Sequence, residues 1–318
     1  MTELRISFET EGFPSGTVAN GMNDLQVTWD DILWAAMTVG RPNRYFVFRY
    51  GDASRYEAIF RWSLTRMALE QRGPGAFRLR RTKAAKALDP TEKGAVSYFL
   101  GMTFCKLFAT KLLDTPWLLH LDVFRPDLDV VLSGRSRPDL IGRQKGTAQW
   151  HAFECKGRVS NPDLTVKRKA KEQAQCLVAV GSTSCTLHIG AITYFQNDIL
   201  RFFWRDPEPV EGRKIRVPFT SDAWRYYYAP FAQLFFDAGS SGDKNGLVSI
   251  HGLDLQLGIH PAIANHLKEH RWDFAVAAAA ELSDAFHQNG YQPDGLVVKA
   301  GKSWKEPFDE SSSEEHRK

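Results

Sequence analysis

Residues 136–158, SRPDLIGRQKGTAQWHAFECKGR, set Asp139 at the start of one apolar run, Glu154 near the end of the next, and Lys156 two residues later. Two carboxylates and an ammonium in segments that otherwise read as buried strand call for an explanation. Alternate side chains of a strand share a face, so Glu154 and Lys156 point one way while Phe153 and Cys155 point into a core. If the two runs pair through a two-residue turn at Lys145-Gly146, Gln144 faces Thr147 and Asp139 faces Ala152. Asp139 then shares the face of Glu154, one diagonal step away, at roughly 7–8 Å between Cα atoms. A slip of one residue would turn Asp139 to the other face.

Two carboxylates on one face repel unless something positive sits between them. A hard cation such as Mg²⁺ does this, taking oxygen ligands and keeping waters for chemistry. A lysine beside it can orient or deprotonate a water, or stabilise an anionic transition state. The chemistry would be metal-assisted hydrolysis. The same three residues would also make an Asp/Glu–Lys salt-bridge cluster on an exposed sheet face, and local geometry alone does not choose between the two.

The surrounding pattern is α/β. After a short alternating segment, TWDDILWAAMTV and YEAIFRWSLTRMALEQ carry apolar residues at helical spacing, with Thr28 as an N-cap. Asp89, Pro90 and Glu92 then open a long helix with a capping box, and Val96, Phe99, Leu100, Phe104, Leu107 and Phe108 form its stripe. Three strands are expected between 117 and 156, a basic helix over about 163–180, and then the strands CTLHIGAITYF and LRFFWRDPE. TSDAWRYYYAPFAQLFF reads as a helix whose Trp224, Tyr227, Tyr228, Phe231 and Phe235 share a buried face. The division expected is a mainly helical region at 1–88, a core at 89–237, an α/β extension at 247–308 and a disordered tail at 309–318.

Composition narrows the function classes. Hydrophobic residues at 43% and charged residues at 25% are those of an ordinary globular chain, and a net charge of +4 is only a mild lean towards polyanions. From Arg66 to Lys86 seven basic residues stand against Glu70 alone, a run that reads as a solvated face or a nucleic-acid contact. Cys105, Cys155, Cys176 and Cys185 form no CxxC pair, so reduced thiols and a cytoplasmic location are expected. The acidic, alternating start MTELRISFETEGF is unlike a signal peptide, and FAVAAAAEL at 274–282 is short of the roughly 20 residues of a membrane span, so no membrane is expected. His266 and His270 lack the adjacent glutamate of a zincin, and there is no P-loop, GxGxxG or GxSxG. His151, facing opposite to Glu154, reads as structural.

RPDLIG followed by WHAFECKGR resembles the PD-(D/E)xK, or restriction-endonuclease-like, nuclease superfamily. Pro138-Asp139 and Glu154-Cys155-Lys156 match its motif in type, order and spacing, within a helix, strand, hairpin, ExK strand and helix that span roughly residues 89–205. PD also occurs at Pro126-Asp127, Pro162-Asp163 and Pro293-Asp294. Asp127, in a similar RPDL, is the rival for the motif aspartate. Asp139 is preferred because its strand leads directly into the ExK strand.

The resemblance implies a mixed central sheet of about five strands flanked by helices. It also implies a Mg²⁺- or Mn²⁺-dependent nuclease, acting on DNA in preference to RNA. Asp139, Glu154 and the backbone carbonyl of Cys155 would hold metal, and Lys156 would align the attacking water. Many members carry a glutamate on the preceding helix, here Glu92, and a glutamine or lysine on the following helix, here Gln173 in preference to Gln175. Arg158, Lys167 and Lys169 would contact the phosphate backbone. The rival function is a silent nucleic-acid- or protein-binding module that keeps the fold. With no motor and no sequence-reading module in the chain, a protein partner or homo-oligomer that activates the nuclease, as in a prokaryotic defence system, is a further reading.

Overall fold

The computed structural model describes residues 3–43, 50–71, 77–127, 137–206, 215–238, 246–250 and 252–308; the expected tail at 309–318 lies outside them. The alternating N-terminal segment is β1 (Leu4–Glu11), which pairs antiparallel with β2 (Gly21–Val27). Helix α1 (Trp29–Thr38) starts at Thr28, whose hydroxyl and backbone N–H form a capping box with Asp31. Helix α2 (Asp52–Ala68), the short strands β3 (Leu69–Gln71) and β4 (Leu79–Arg81), and helix α3 (Lys83–Ala87) follow.

Helix α4 (Pro90–Leu113) opens with the expected Asp89–Glu92 capping box and closes at Asp114, whose φ of 47° ends it in the left-handed region. By length and hydropathy α4 is the described helix that could cross a bilayer, a stretch the sequence reading passed over; 72% of its most apolar window is buried in the fold.

Beyond α4 come β5 (Trp117–His120), a 3₁₀ segment at Leu121–Asp127, β6 (Leu140–Arg143) and β7 (Trp150–Gly157). Helix α5 (Leu164–Ala174) leads to β8 (Leu177–Val180), β9 (Thr183–Gln196), β10 (Ile199–Arg205) and β11 (Ile215–Val217). The basic helix expected to run to 180 therefore stops at Ala174. Its apolar end, Leu-Val-Ala-Val, pairs antiparallel with β9 around Gly181 (φ +58°) and parallel with β11, and those ladders supply its backbone bonds.

The strands form one mixed sheet of eleven, with the principal order β2-β1-β10-β9-β7-β6-β5. It is wider than the five strands expected, because β1 joins parallel to β10 and carries the N-terminal region into the sheet. The β7–α5–β9 crossover makes the central parallel pair, with α4 packed on the face opposite α5. Helix α6 (Arg225–Ala238) buries Tyr227, Tyr228 and Phe231, but burial runs unbroken from Tyr226 to Ala232 instead of along one face, Phe235 is half-buried, and Trp224 lies in the 3₁₀ turn before the helix. A separate antiparallel sheet of β12 (Val248–Ile250), β13 (Leu255–Ile259) and β14 (Leu296–Ala300) carries α7 (Pro261–Lys268) and α8 (Trp272–Gln288).

A fully buried polar network ties this extension to the rest. The Asp294 carboxylate accepts from the Trp34 indole at 2.9 Å and the Tyr227 hydroxyl at 2.6 Å. Lys106 of α4 donates to Tyr227 at 2.8 Å and to the Pro116 carbonyl.

Candidate active site

The β6–β7 register pairs Leu140 with Phe153, Ile141 with Ala152 and Arg143 with Trp150. Gln144 donates to the Gln149 carbonyl at 3.1 Å, so the loop is Lys145–Ala148 and not a two-residue turn. Inside it Gly146 takes φ +70°, and the Thr147 hydroxyl accepts the Gln149 N–H at 3.1 Å. The pairing is displaced by two residues from the register expected. Asp139 itself lies in a bend just before β6 and outside that ladder, so its placement rests on its own hydrogen bonds and not on strand alternation.

Asp139 is held from both neighbouring strands. Its N–H donates to the Phe153 carbonyl at 3.0 Å, and its carbonyl accepts from Leu121 N–H at 2.8 Å. One carboxylate oxygen, Oδ2, accepts the Cys155 N–H at 2.8 Å. A strand residue's N–H and C=O leave the same edge, so the Cys155 carbonyl also faces the Asp139 side.

Glu154 is 3% exposed. Its Oε1 accepts from Lys156 Nζ at 2.6 Å, and the same ammonium donates to Gln173 Oε1 of α5 at 2.7 Å. Four of the residues expected at the site, Asp139, Glu154, Lys156 and Gln173, are thus brought together.

The carboxyl groups of Asp139 and Glu154 approach to hydrogen-bonding range, and Glu154 Oε2 is buried without a donor. Burial foremost, with the charge of Asp139, pushes the Glu154 carboxyl up to about 8 against the pull of Lys156. Burial also raises Asp139, against the Cys155 N–H and the Lys156 charge. Two acceptors face each other here, and they need a proton or a cation between them.

The close fit of α4 on this end of β7 sets the ground beneath the site. A Cβ on Gly157 would run into the Ser97 carbonyl, and one on Gly101 would lie 2.9 Å from the Gly157 nitrogen. Both glycines let the helix backbone meet the strand next to Lys156.

The remaining candidates are placed otherwise. Glu92 is exposed, and its carboxylate accepts the Asp89 N–H at 3.2 Å, so it serves the helix cap instead of joining the cluster. Lys167 is no exposed phosphate clamp. Its ammonium bonds Glu9 of β1 at 3.1 Å and lies 3.8 Å from the centroid of Phe203, because β1 enters the sheet beside β10. Lys169 and Arg158 are exposed, and Arg158 donates to the Gly157 carbonyl at 2.9 Å. Asp127 ends the 3₁₀ segment and is not on a strand. In the basic run, Arg81 and Lys86 pair with Asp198 at 2.9 Å each.

Sequence reasoning missed a group beside Asp139. His120, at the end of β5, accepts the Asp122 N–H on Nδ1 at 3.1 Å, and its Nε2 lies 3.4 Å from the Tyr98 hydroxyl. Asp122 holds Arg137, whose Nε donates at 2.9 Å. No local motif links residues so far apart in the chain; only the meeting of α4, β5 and the approach to β6 does.

Among the described residues no three His, Cys, Asp or Glu side chains form a ready-made ligand cluster. The donors available to a metal are the two carboxylates and the Cys155 carbonyl. All are hard oxygens, and with the unpartnered Glu154 Oε2 they suit Mg²⁺ or Mn²⁺ completed by water. No protein-family model, no curated protein and no solved structure matches the chain.

Proposed function

We propose that this protein is a metal-dependent nuclease with a restriction-endonuclease-like core, hydrolysing phosphodiester bonds of nucleic acid, DNA in preference to RNA. The observation that carries the reading is the meeting of Asp139, Glu154, Lys156 and Gln173 on one side of the β6–β7 pair. The chain order α4, β5, β6–β7 hairpin, α5, β8, β9 lends support to that core.

In this reading Asp139, Glu154 and the Cys155 carbonyl hold Mg²⁺, which polarises the phosphodiester and favours a nucleophilic water at neutral pH. Lys156 has three N–H donors, and Glu154 and Gln173 fix two of them. The ammonium is thereby aimed, and a remaining N–H can orient the attacking water or meet the charge that develops on phosphate. Asp139 is oriented in turn by the Cys155 N–H.

Glu154 Oε2 is buried without a donor beside the Asp139 carboxyl, a place for a proton or a cation, and the nuclease reading puts the cation there. One feature favours the rival binding module: Lys156 already closes an ion pair with Glu154. The two readings separate on a cleavage panel of plasmid, linear duplex, single-stranded DNA and RNA with Mg²⁺ or Mn²⁺. Cleavage by the wild type that is abolished in Lys156→Ala supports the nuclease. Nucleic-acid binding with no cleavage of any substrate supports the module.

A further inference from the structure

Asp139 lies in a bend before β6, outside the β6–β7 ladder, so no strand regularity fixes the direction of its carboxylate. On the β7 side it is held by its bonds with Phe153 and Cys155. The chain entering the bend passes through Pro138, which has no N–H to contribute. What steadies that approach is the end of β5.

Residues 121 and 122 grip the bend on both sides of Pro138. Arg137 donates to one oxygen of Asp122 through Nε, at 2.9 Å, and through Nη2. The neighbouring Leu121 N–H donates to the Asp139 carbonyl at 2.8 Å. Asp122 is itself fixed, because its N–H donates to His120 Nδ1 at 3.1 Å. His120 is buried, and burial pushes it down to about 4, so at neutral pH its ring is uncharged and Nδ1 stays an acceptor. Its Nε2 lies 3.4 Å from the Tyr98 hydroxyl of α4.

Attraction of a cation does not account for the pair. The charge of Asp122 acts on Asp139, and Arg137 offsets it. By charge alone, losing Arg137 would make the site draw Mg²⁺ more strongly. Nor is a partly exposed ion pair a large source of stability. Its geometry is the feature left to explain: a two-donor clamp two residues before a metal ligand that no ladder holds.

We propose that Asp122 and Arg137 are positioning residues for Asp139, clamping the chain ahead of Pro138 so that its carboxylate is aimed at the cation shared with Glu154. The inference rests on the nuclease reading, which makes Asp139 a metal ligand. Groups that orient a ligand from outside the metal's own shell typically change metal affinity by roughly 10–100-fold.

The test is calorimetric Mg²⁺ titration of the full chain, beside cleavage followed over a range of Mg²⁺ concentrations, on variants with unchanged melting. Arg137→Ala is expected to bind Mg²⁺ about tenfold more weakly than the wild type. Its cleavage should need correspondingly more Mg²⁺ and return close to the wild-type rate at saturation. Asp122→Ala combined with Arg137→Ala should be no worse than Arg137→Ala alone, since one clamp is lost in each. Should Arg137→Ala melt early, Arg137→Lys carries the comparison, because it keeps the charge without the forked donors and should also bind Mg²⁺ more weakly. Mg²⁺ affinity that is unchanged or tighter in the Arg137 variants overturns the clamp, and the nuclease reading stands if the wild type cuts. A rate that stays low at saturating Mg²⁺ assigns Arg137 to the substrate and also overturns it. If Mg²⁺ binding falls as expected but the wild type cuts no nucleic acid, the clamp stands and the nuclease reading falls. A wild type that neither binds Mg²⁺ nor cuts removes both.

Discussion

Asp139 and Cys155 are joined across two strands: the Asp139 carboxylate accepts the Cys155 N–H at 2.8 Å, at the point where the regular β6–β7 ladder ends. A side chain proposed as a metal ligand therefore also completes the sheet's hydrogen bonding, and the two roles can be separated. Asp139→Asn keeps an acceptor for the amide but lowers the anionic charge, so it should fold like the wild type and bind Mg²⁺ much more weakly. Asp139→Ala should do both kinds of damage, adding a stability loss of about 1–3 kcal/mol for the orphaned N–H. Urea denaturation and calorimetric Mg²⁺ titration of the two variants check this.

Lys156→Ala leaves both carboxylates in place and removes the ammonium that Glu154 and Gln173 aim. It should retain Mg²⁺ binding and lose cleavage, while Asp139→Ala loses both. Equal loss of metal by the two variants would assign Lys156 to holding the carboxylates and not to handling water.

Glu154 gives a pH dependence with a definite sign. Its folded value of about 8 lies above its ordinary 4.5, so between them the folded chain holds a proton that the unfolded chain has released. The stability this contributes is complete below the ordinary value and is lost as pH rises through about 8. Buried His120 and His151, both pushed down to about 4 chiefly by burial, have the opposite sign, and their contribution is complete above their ordinary 6.5. Between pH 6.5 and 8 in EDTA, the wild type should lose stability relative to Glu154→Gln by at most about 1.4 kcal/mol per pH unit. Taking the difference removes other groups such as Lys106, which burial brings down to about 7. Guanidinium melts at several pH values measure it. A difference independent of pH would mean that Glu154 is ionised throughout.

Asp294 anchors the C-terminal extension. Replacing it by alanine leaves the Trp34 indole and the Leu296 N–H without their acceptor, leaves the Tyr227 hydroxyl only the Pro116 carbonyl, and leaves Lys106 buried without a countercharge. The loss should be on the order of 3–5 kcal/mol. Tyr227→Phe, which removes one bridging hydroxyl, should cost about 1–3 kcal/mol. Both are read from chemical denaturation, with the Asp294 variant expected to lose the α1–β14 contact first, seen as a change in tryptophan fluorescence.

Much of the site was legible because it depends on local periods. The two-residue alternation of a strand places Glu154 and Lys156 together whatever the rest of the chain does. Asp139 was not legible in this way, since it sits in a bend before β6 and is brought to β7 by its bonds with Phe153 and Cys155. The Asp89–Glu92 capping box follows from an equally local rule. What the chain folds against each residue is not local. Lys167 reads as a free cation in its helix, and only the arrival of β1 beside β10 supplies Glu9. Leu177–Val180 reads as more helix, until β9 and β11 offer ladders on both sides. The aromatic group around Tyr98 and His120, and the Lys106–Tyr227–Asp294 network, join elements distant in sequence through single hydrogen bonds. Periodicity carries the direction of a side chain, but its partner is decided by which distant surface packs against it.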